Sequence, residues 1–225
     1  MGARLTQRAL VAGATGLVGR ELIARLLADA RYAQVHVLAR RPLAIADPKL
    51  SVHVVDFEFL DDARTAFDVD HVFCCLGTTL RQAGSRDAFR RVDYDYVLDL
   101  AQRAADAGVA HFVWISVVGA QPRSPAFYSR VKGALEVAIA HLPLRRWTAV
   151  RPSLLLGDRV EHRTGESLAA AVFSPVSRFM VGPLRRYRPI HAADVAAAMI
   201  AVAHDAPAPA GLEIRSGGRT ASSMR

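Results

Sequence analysis

Tyr128 and Lys132 lie four residues apart in a segment with helical periodicity, so their side chains project from one face of the predicted helix. A phenol with a pKa of about 10 transfers protons poorly near neutral pH, but a neighbouring ammonium favours the phenolate and lowers that pKa. Such a pair is suited to proton transfer. A tyrosine and a lysine at this spacing occur in many helices, however, so the pair is informative only beside a second motif.

The second motif is a glycine-rich turn near the start of the chain, between a predicted strand and a predicted helix. Glycines there let backbone amides approach a phosphate closely, and the helix N-terminus adds a partial positive charge. A tight turn without a ligand is the alternative. The order strand, turn, helix favours a dinucleotide site. The residues predicted to hold the pyrophosphate are Gly13, Thr15, Gly16, Leu17, Val18 and Gly19.

The end of the second predicted strand indicates which dinucleotide is bound. An acidic residue there accepts hydrogen bonds from the ribose 2′-hydroxyl of NAD, whereas this chain has Arg40 and Arg41. Two guanidinium groups suit a 2′-phosphate, so NADP(H) is predicted in preference to NAD(H), with two solvated arginines as the alternative. Asp56, which ends the next strand, is predicted either to accept from the adenine amino group or to cap a helix.

Together, these motifs resemble the atypical branch of the short-chain dehydrogenases that contains the Tat-interacting-protein-like family. The segments that carry the resemblance are Gly13–Gly19, the Cys-Cys-Leu-Gly-Thr-Thr string at 74–79, the Tyr-Ser-Arg-Val-Lys-Gly string at 128–133, and Arg151-Pro152. The resemblance extends through Val195. It implies a Rossmann-type fold, NADP binding, and either reductase activity or a regulatory role.

The resemblance also implies roles for individual residues. Tyr128 would be the proton donor, and Lys132 would both depress its pKa and hydrogen-bond the nicotinamide ribose. Leu76, Gly77 and Thr78 would line the cofactor site.

One position departs from the family pattern. Members often end the fifth strand with two serines, the second of which supplies the catalytic hydroxyl, but this chain has Ser116 followed by Val117. Ser116 is therefore the remaining candidate for orienting a substrate oxygen, although strand alternation could equally turn it away from the cofactor. Two hypotheses follow. The first is an NADPH-dependent reductase of a small carbonyl or enone compound, and the alternative is an NADP(H)-binding regulator that gates a protein partner.

The elements that must position these residues alternate between strands and helices, which predicts a doubly wound parallel sheet. The predicted strands are Arg8–Ala12, Gln34–Ala39, Ser51–Val55, His71–Leu76, His111–Ile115 and Trp147–Arg151. The predicted helices are Leu17–Ala28, Tyr94–Ala107, Ala126–His141 and one that begins near Ala192.

The pattern loosens after Arg151, where prolines interrupt residues 157–190, and this stretch is predicted to form a small C-terminal substrate cap. We expect a single domain over residues 1–215 and a flexible tail over residues 216–225, because the tail has little apolar content.

Composition limits the other function classes. The chain has 52% hydrophobic and 22% charged residues and a formal net charge of +8. The excess is scattered arginine, which predicts a solvated basic surface rather than a specific nucleic-acid site. The two cysteines, Cys74 and Cys75, are adjacent on a strand and point to opposite faces, so no disulfide or metal site is expected. With no signal peptide or membrane span apparent, the sequence predicts a cytoplasmic protein, and it leaves a homodimer or a protein partner open.

Overall fold

The apolar runs of the sequence form strands of one seven-stranded sheet. The computed structural model describes residues 6–153, 155–156, 190–206 and 212–218. In this sheet the strands are β1 (Gln7–Ala12), β2 (Tyr32–Ala39), β3 (Leu50–Val54), β4 (His71–Cys74), β5 (His111–Ile115), β6 (Trp147–Arg151) and β9 (Glu213–Gly217). Their order is β3-β2-β1-β4-β5-β6-β9. All neighbours are parallel except β9, which pairs antiparallel with β6.

A second sheet has two short parallel strands, β7 (Leu155–Leu156) and β8 (Ile190–His191). The helices are α1 (Leu17–Ala28), a 3-10 helix (Leu60–Phe67), α2 (Leu80–Ala83), α3 (Arg86–Arg90), a π-helical turn (Arg91–Asp95), α4 (Tyr96–Asp106), α5 (Phe127–Ala140) and α6 (Ala192–Ala203).

The helices cover both faces of the sheet, because each parallel strand is apolar on both sides. On one face, Leu100 of α4 and Leu135 of α5 pack with Trp114 of β5. On the other, Leu22 of α1 and Met199 of α6 join the second half of the core. The result is the predicted three-layer, doubly wound Rossmann-type fold, whose strand order reverses direction between β1 and β4.

Several predicted boundaries agree with the structure, including those of β5, β6 and α1. The predicted strand His71–Leu76 ends earlier, at Cys74, because the chain leaves the sheet where the backbone of Cys75 meets Gly13. The helix predicted from Tyr94 begins as α4 at Tyr96, and the π-helical turn joins α4 to α3. The two cysteines are free and lie on opposite faces of the sheet, as predicted.

The prediction of a flexible tail over residues 216–225 is wrong for its first two residues. Ser216 and Gly217 belong to β9 and pair with Thr148 and Trp147. Low apolar content did not prevent this, because an edge strand is held by its main-chain ladder, and Gly217 lies directly against the indole of Trp147. The predicted cap at 157–190 lies outside the described residues except for Ile190, which begins β8.

Candidate functional site

The glycine turn joins β1 to α1, and each of its glycines meets a different requirement. Gly13 has a φ of +87°, and a Cβ there would lie 2.5 Å from the carbonyl carbon of Cys75. A Cβ on Gly19 would lie 2.1 Å from the oxygen of Gly13. A Cβ on Gly16 would meet only the Gly13 oxygen, at 3.4 Å. Gly16 and the neighbouring Thr15 are both exposed. Gly16 therefore leaves open a space that a phosphate fits.

Helix α1 adds the charge that a phosphate needs. Gly16 is its N-cap residue and has no side chain with which to cap the first turn. The amide groups at the start of a helix have no intrahelical acceptor and carry a partial positive charge, so they bind anions. Leu17 and Val18 begin this helix, as the sequence predicts. The turn thus fits a dinucleotide pyrophosphate.

The ends of β2 and β3 lie on the same side of the sheet as this turn. Arg40 and Arg41 follow β2 directly and are exposed, and within the part of the chain that the structure describes neither makes an ion pair. Both guanidinium groups therefore keep their donors available to a ligand. Asp56 accepts a hydrogen bond from the backbone N–H of Glu58 at 3.0 Å and closes a local turn. It is not a helix N-cap, because Phe59 has that position in the next helix.

The segment after β4 packs against the glycine turn. The backbone N–H of Cys75 donates to the oxygen of Ala12 at 2.7 Å. Three residues later, the N–H of Thr78 donates to Oδ2 of Asp93 at 2.7 Å. Leu76 and Gly77 lie between these two anchors, so this segment is fixed near the turn at Cys75 and by Asp93 at Thr78.

Lys132 is buried and ion-paired. Its side chain is 2% exposed, and Nζ lies 2.8 Å from Oδ1 of Asp93, whose side chain is 1% exposed. Nζ also donates to the carbonyl oxygen of Ile115 at 3.3 Å. Burial by itself lowers the pKa of Lys132, but the Asp93 carboxylate and Tyr128 together raise it by more, so the net pKa is above its usual value. The ammonium therefore stays charged inside the protein.

Tyr128 lies at the start of α5 and is 38% exposed, so its ring borders solvent. Burial raises the pKa of its hydroxyl, Lys132 lowers it and Asp93 raises it again, with a net rise. The lowering of the pKa expected from Lys132 is present, but burial outweighs it and Asp93 adds to the rise. Tyr128 is thus protonated near neutral pH and able to donate.

The Ser116 hydroxyl is bonded to a carboxylate on α5. The Ser116 side chain is buried, and its hydroxyl donates to Oε1 of Glu136 on α5 at 2.5 Å. Glu136 also accepts from Nε and Nη2 of Arg151 at 2.9 and 2.5 Å and from Arg215 at 3.0 Å. The Ser116 hydroxyl therefore belongs to a buried network that joins β5, β6, β9 and α5.

Asp93 and Glu136 are the two site residues that the sequence reading missed. A signal was present for Asp93, because it falls at helical spacing on the buried face formed by Phe89, Val97 and Leu100. A carboxylate on a buried face requires a partner, and Lys132 is one of only two lysines in the chain.

Among the described residues, no helix is long and apolar enough to cross a membrane. No group of histidine, cysteine or acidic side chains in the described ranges could hold a metal ion.

Comparisons with known proteins agree with this geometry. A family model described as NAD(P)H-binding matches residues 13–206. Protein HTATIP2 of Rattus norvegicus is 41% identical over 167 residues, which cover 72% of this chain and 69% of that protein. Protein FMP52-1, mitochondrial, of Scheffersomyces stipitis is 33% identical over 193 residues, 84% of each chain. The resemblance to the Tat-interacting-protein-like family is confirmed.

Two solved structures show the same fold at low sequence identity. MoeE5 in complex with UDP-glucose and NAD has a TM-score of 0.64 at 20% identity, covering 87% of this chain and 71% of that one. The Bordetella bronchiseptica enzyme WbmH in complex with NAD+ has a TM-score of 0.67 at 14% identity, covering 88% and 73%.

One prediction is wrong in the light of these relatives. The sequence predicts a cytoplasmic location, but several fungal relatives are named mitochondrial. The missing signal-peptide and membrane patterns, on which the prediction rested, do not distinguish the two compartments.

Proposed function

Because the chain belongs to the NAD(P)H-binding family, we propose that it is an NADPH-dependent oxidoreductase that reduces a small carbonyl or enone compound. Tyr128 is the proton donor in this proposal, and Lys132 assists it. The glycine turn, with the segment Leu76–Thr78, holds the dinucleotide.

One observation carries the proposal: a single buried carboxylate contacts both halves of the site. Asp93 accepts from the N–H of Thr78, next to the glycine turn, and pairs with the ammonium of Lys132 on α5. The cofactor segment and the catalytic pair therefore lie within the reach of one side chain. Two unrelated motifs would have no reason to meet in this way.

The chemistry divides between the cofactor and the chain. NADPH, when bound, supplies the hydride for reduction of a carbonyl carbon. Tyr128 donates its phenolic proton to the carbonyl oxygen, so the product is an alcohol. Lys132 stabilises the phenolate that remains and would donate to the nicotinamide ribose of a bound cofactor, while Asp93 keeps the ammonium charged and in place.

Arg40 and Arg41 support a preference for NADP(H) over NAD(H). Both guanidinium groups are exposed at the end of β2, next to the strand that leads into the glycine turn. Neither has an ion-pair partner within the described residues, so each retains its donors for a 2′-phosphate. The role of Asp56 toward the adenine stays a prediction.

Catalysis by Ser116 stays a prediction that its geometry does not favour. With its hydroxyl bonded to Glu136, Ser116 would have to break a charge-assisted bond before it could reach a substrate. We therefore assign Ser116 a positioning role, in which it fixes the second half of α5 relative to the end of β5. The proposed domain comprises the sheet and its helices with β9 included, and residues 157–190 are proposed as its substrate cap.

The direct test is NADPH oxidation by the purified protein with a panel of aldehydes, ketones and quinones. We expect turnover of at least one class, with NADPH preferred over NADH. Tight NADPH binding without turnover of any compound would contradict the enzyme assignment.

That result would favour the second candidate, an NADP(H)-binding regulator that gates a protein partner. The specific observation behind it is the pair Ser116 and Val117, since one hydroxyl is buried and the other is absent. A regulator requires only that cofactor binding change a surface, which needs no catalytic hydroxyl.

A further inference from the structure

A group of two arginines and one phenylalanine borders Tyr128 and takes no part in the chemistry described above. Phe127 is the first residue of α5 and precedes Tyr128 directly. The Cζ atom of Arg86, on α3, lies 5.2 Å from the centre of the Phe127 ring, and that of Arg130 lies 5.7 Å from it. We call Arg86, Phe127 and Arg130 the arginine–phenylalanine cluster.

The cluster and Tyr128 share one support. Phe89 is fully buried, and its ring centre lies 5.6 Å from those of both Phe127 and Tyr128. The three rings therefore form one packed group, and Tyr128 presents its exposed part to solvent beside the cluster. A substrate that extends from Tyr128 across Phe127 would meet these arginines.

The guanidinium groups of the cluster keep donors available. Among the described residues, neither Arg86 nor Arg130 has a carboxylate partner, whereas Arg91 pairs with Glu58 and Arg151 pairs with Glu136. Nη1 of Arg130 donates to the carbonyl oxygens of Ser124 and Pro125, which holds its head group in place.

The ring orders both side chains before a ligand arrives. A guanidinium over an aromatic face is held by cation–π attraction, and its planar N–H groups remain directed outward. Each guanidinium has five N–H donors, of which Arg130 uses one nitrogen on backbone carbonyls. An ordered fork of donors loses little side-chain entropy on binding, so it favours a planar acceptor such as a carboxylate.

We propose that the arginine–phenylalanine cluster is a subsite for a carboxylate group of the substrate. The substrate class is then a carbonyl compound that also bears a carboxylate, oriented with the carbonyl at Tyr128 and the carboxylate at Arg86 and Arg130. This inference rests on the proposed function, because it assumes that the reacting carbonyl lies at Tyr128.

The first experiment measures binding and does not depend on turnover. The protein loaded with NADP+ is titrated with benzoate and with its neutral analogue benzamide, and binding is followed by NMR. We expect benzoate to bind at least about tenfold more tightly. Arg86→Gln and Arg130→Gln should each remove most of this difference, whereas Arg25→Gln, an exposed arginine on α1, should leave it unchanged. Equal affinities in the native protein would overturn the subsite.

The second experiment compares two aldehydes with the same reacting group, 4-carboxybenzaldehyde and 4-formylbenzamide. We expect a lower KM for the carboxylate, similar kcat values, and loss of the KM difference in Arg86→Gln. Turnover of both aldehydes with equal KM values would overturn the subsite and leave the proposed function intact. Arginine-dependent benzoate binding without reduction of any carbonyl compound would support the subsite and contradict the proposed function.

Discussion

The two ends of the parallel sheet both bury ionisable groups, but they treat charge in opposite ways. At the carboxyl end, Lys132 is buried against Asp93, and its pKa rises. At the amino end, His71 and His111 begin adjacent strands and are buried with no carboxylate partner among the described residues, and burial lowers the pKa of each to about 4. Burial with a counter-charge preserves an ion, whereas burial without one keeps the group neutral.

Within the described ranges, the amino-end histidines are hydrogen-bonded to hydroxyl groups. Nδ1 of His71 is hydrogen-bonded to the Tyr32 hydroxyl at 2.7 Å, and Nε2 of His111 to the Thr148 hydroxyl at 2.8 Å. His204, at the end of α6, stacks edge-on against His71, with ring centres 5.3 Å apart. We therefore expect changes at the carboxyl end to alter catalysis or cofactor binding, and changes at the amino end to alter stability alone.

The largest expected effect is the loss of turnover in the Tyr128→Phe variant. The substitution removes the proton donor and keeps the ring that packs on Phe89, so kcat should fall about 10²–10⁴-fold while the melting temperature barely changes. Cofactor affinity should also be nearly unchanged. The measurement is kcat on an established substrate, with NADPH Kd and Tm in parallel. A near-native kcat would remove Tyr128 from the mechanism.

The next effect is on folding. Asp93→Asn keeps the shape of the side chain but leaves the Lys132 ammonium buried without its counter-charge, which should cost about 3–5 kcal/mol in the free energy of unfolding. The matched control is Asp205→Asn, because Asp205 forms an exposed ion pair with Arg146 at the other end of the sheet. That pair should contribute under about 1 kcal/mol.

Urea unfolding measures both variants. Lys132→Met in the Asp93→Asn background should recover part of the loss, because the unpaired charge is then gone. It should not restore NADPH affinity. Equal destabilisation by Asp93→Asn and Asp205→Asn would show that the buried pair is no different from a surface pair.

The third prediction concerns pH at the amino end. The folded pKa values of His71 and His111 lie below the unfolded value, so the unfolded chain binds more protons between about pH 4 and 6.5. Their contribution to stability is complete above about pH 6.5 and is lost as the pH falls toward 4. For each histidine, the free energy of unfolding should fall by about 2 kcal/mol between pH 7 and pH 5.

The test is the urea midpoint at several pH values for the native protein and for His71→Gln. Glutamine keeps a polar partner for the Tyr32 hydroxyl and does not titrate, so the decline below pH 6.5 should become shallower. His191→Gln, at an exposed position, is the control and should leave the decline unchanged. Identical pH dependence in all three proteins would rule out His71 as a source of the decline.

The smallest expected effect is on cofactor choice. Arg40→Ala removes a charge-assisted bond worth roughly 1.5–3 kcal/mol, so the Kd for NADPH should rise about tenfold or more and that for NADH should not. Calorimetric titration of both cofactors measures the difference. Equal affinities for the two cofactors in the native protein would contradict the proposed preference.

The sequence predicts local features of this site well, because they depend on short-range rules. The strand, turn and helix around Gly13 and the placement of Tyr128 and Lys132 on α5 follow from periodicity and glycine sterics. Asp93 lies far from Lys132 in sequence, and only the tertiary fold brings them together. The orientation of the Ser116 side chain could not be predicted for the same reason, because its partner Glu136 is also distant in sequence. Strand β9 was not predicted, because its stability comes from pairing with β6 rather than from its own residues.

Glu136 has a consequence for how this protein can change over evolution. Its carboxylate binds Arg151, where the chain leaves the large sheet, and Arg215, where the chain has returned to it in β9. One side chain thus binds both the strand that precedes this long stretch of the chain and the strand that follows it. Because these ion pairs and the strand ladder set the register of β6 and β9 locally, changes in the length of the chain between them should be tolerated as long as α6, which packs in the core, is kept.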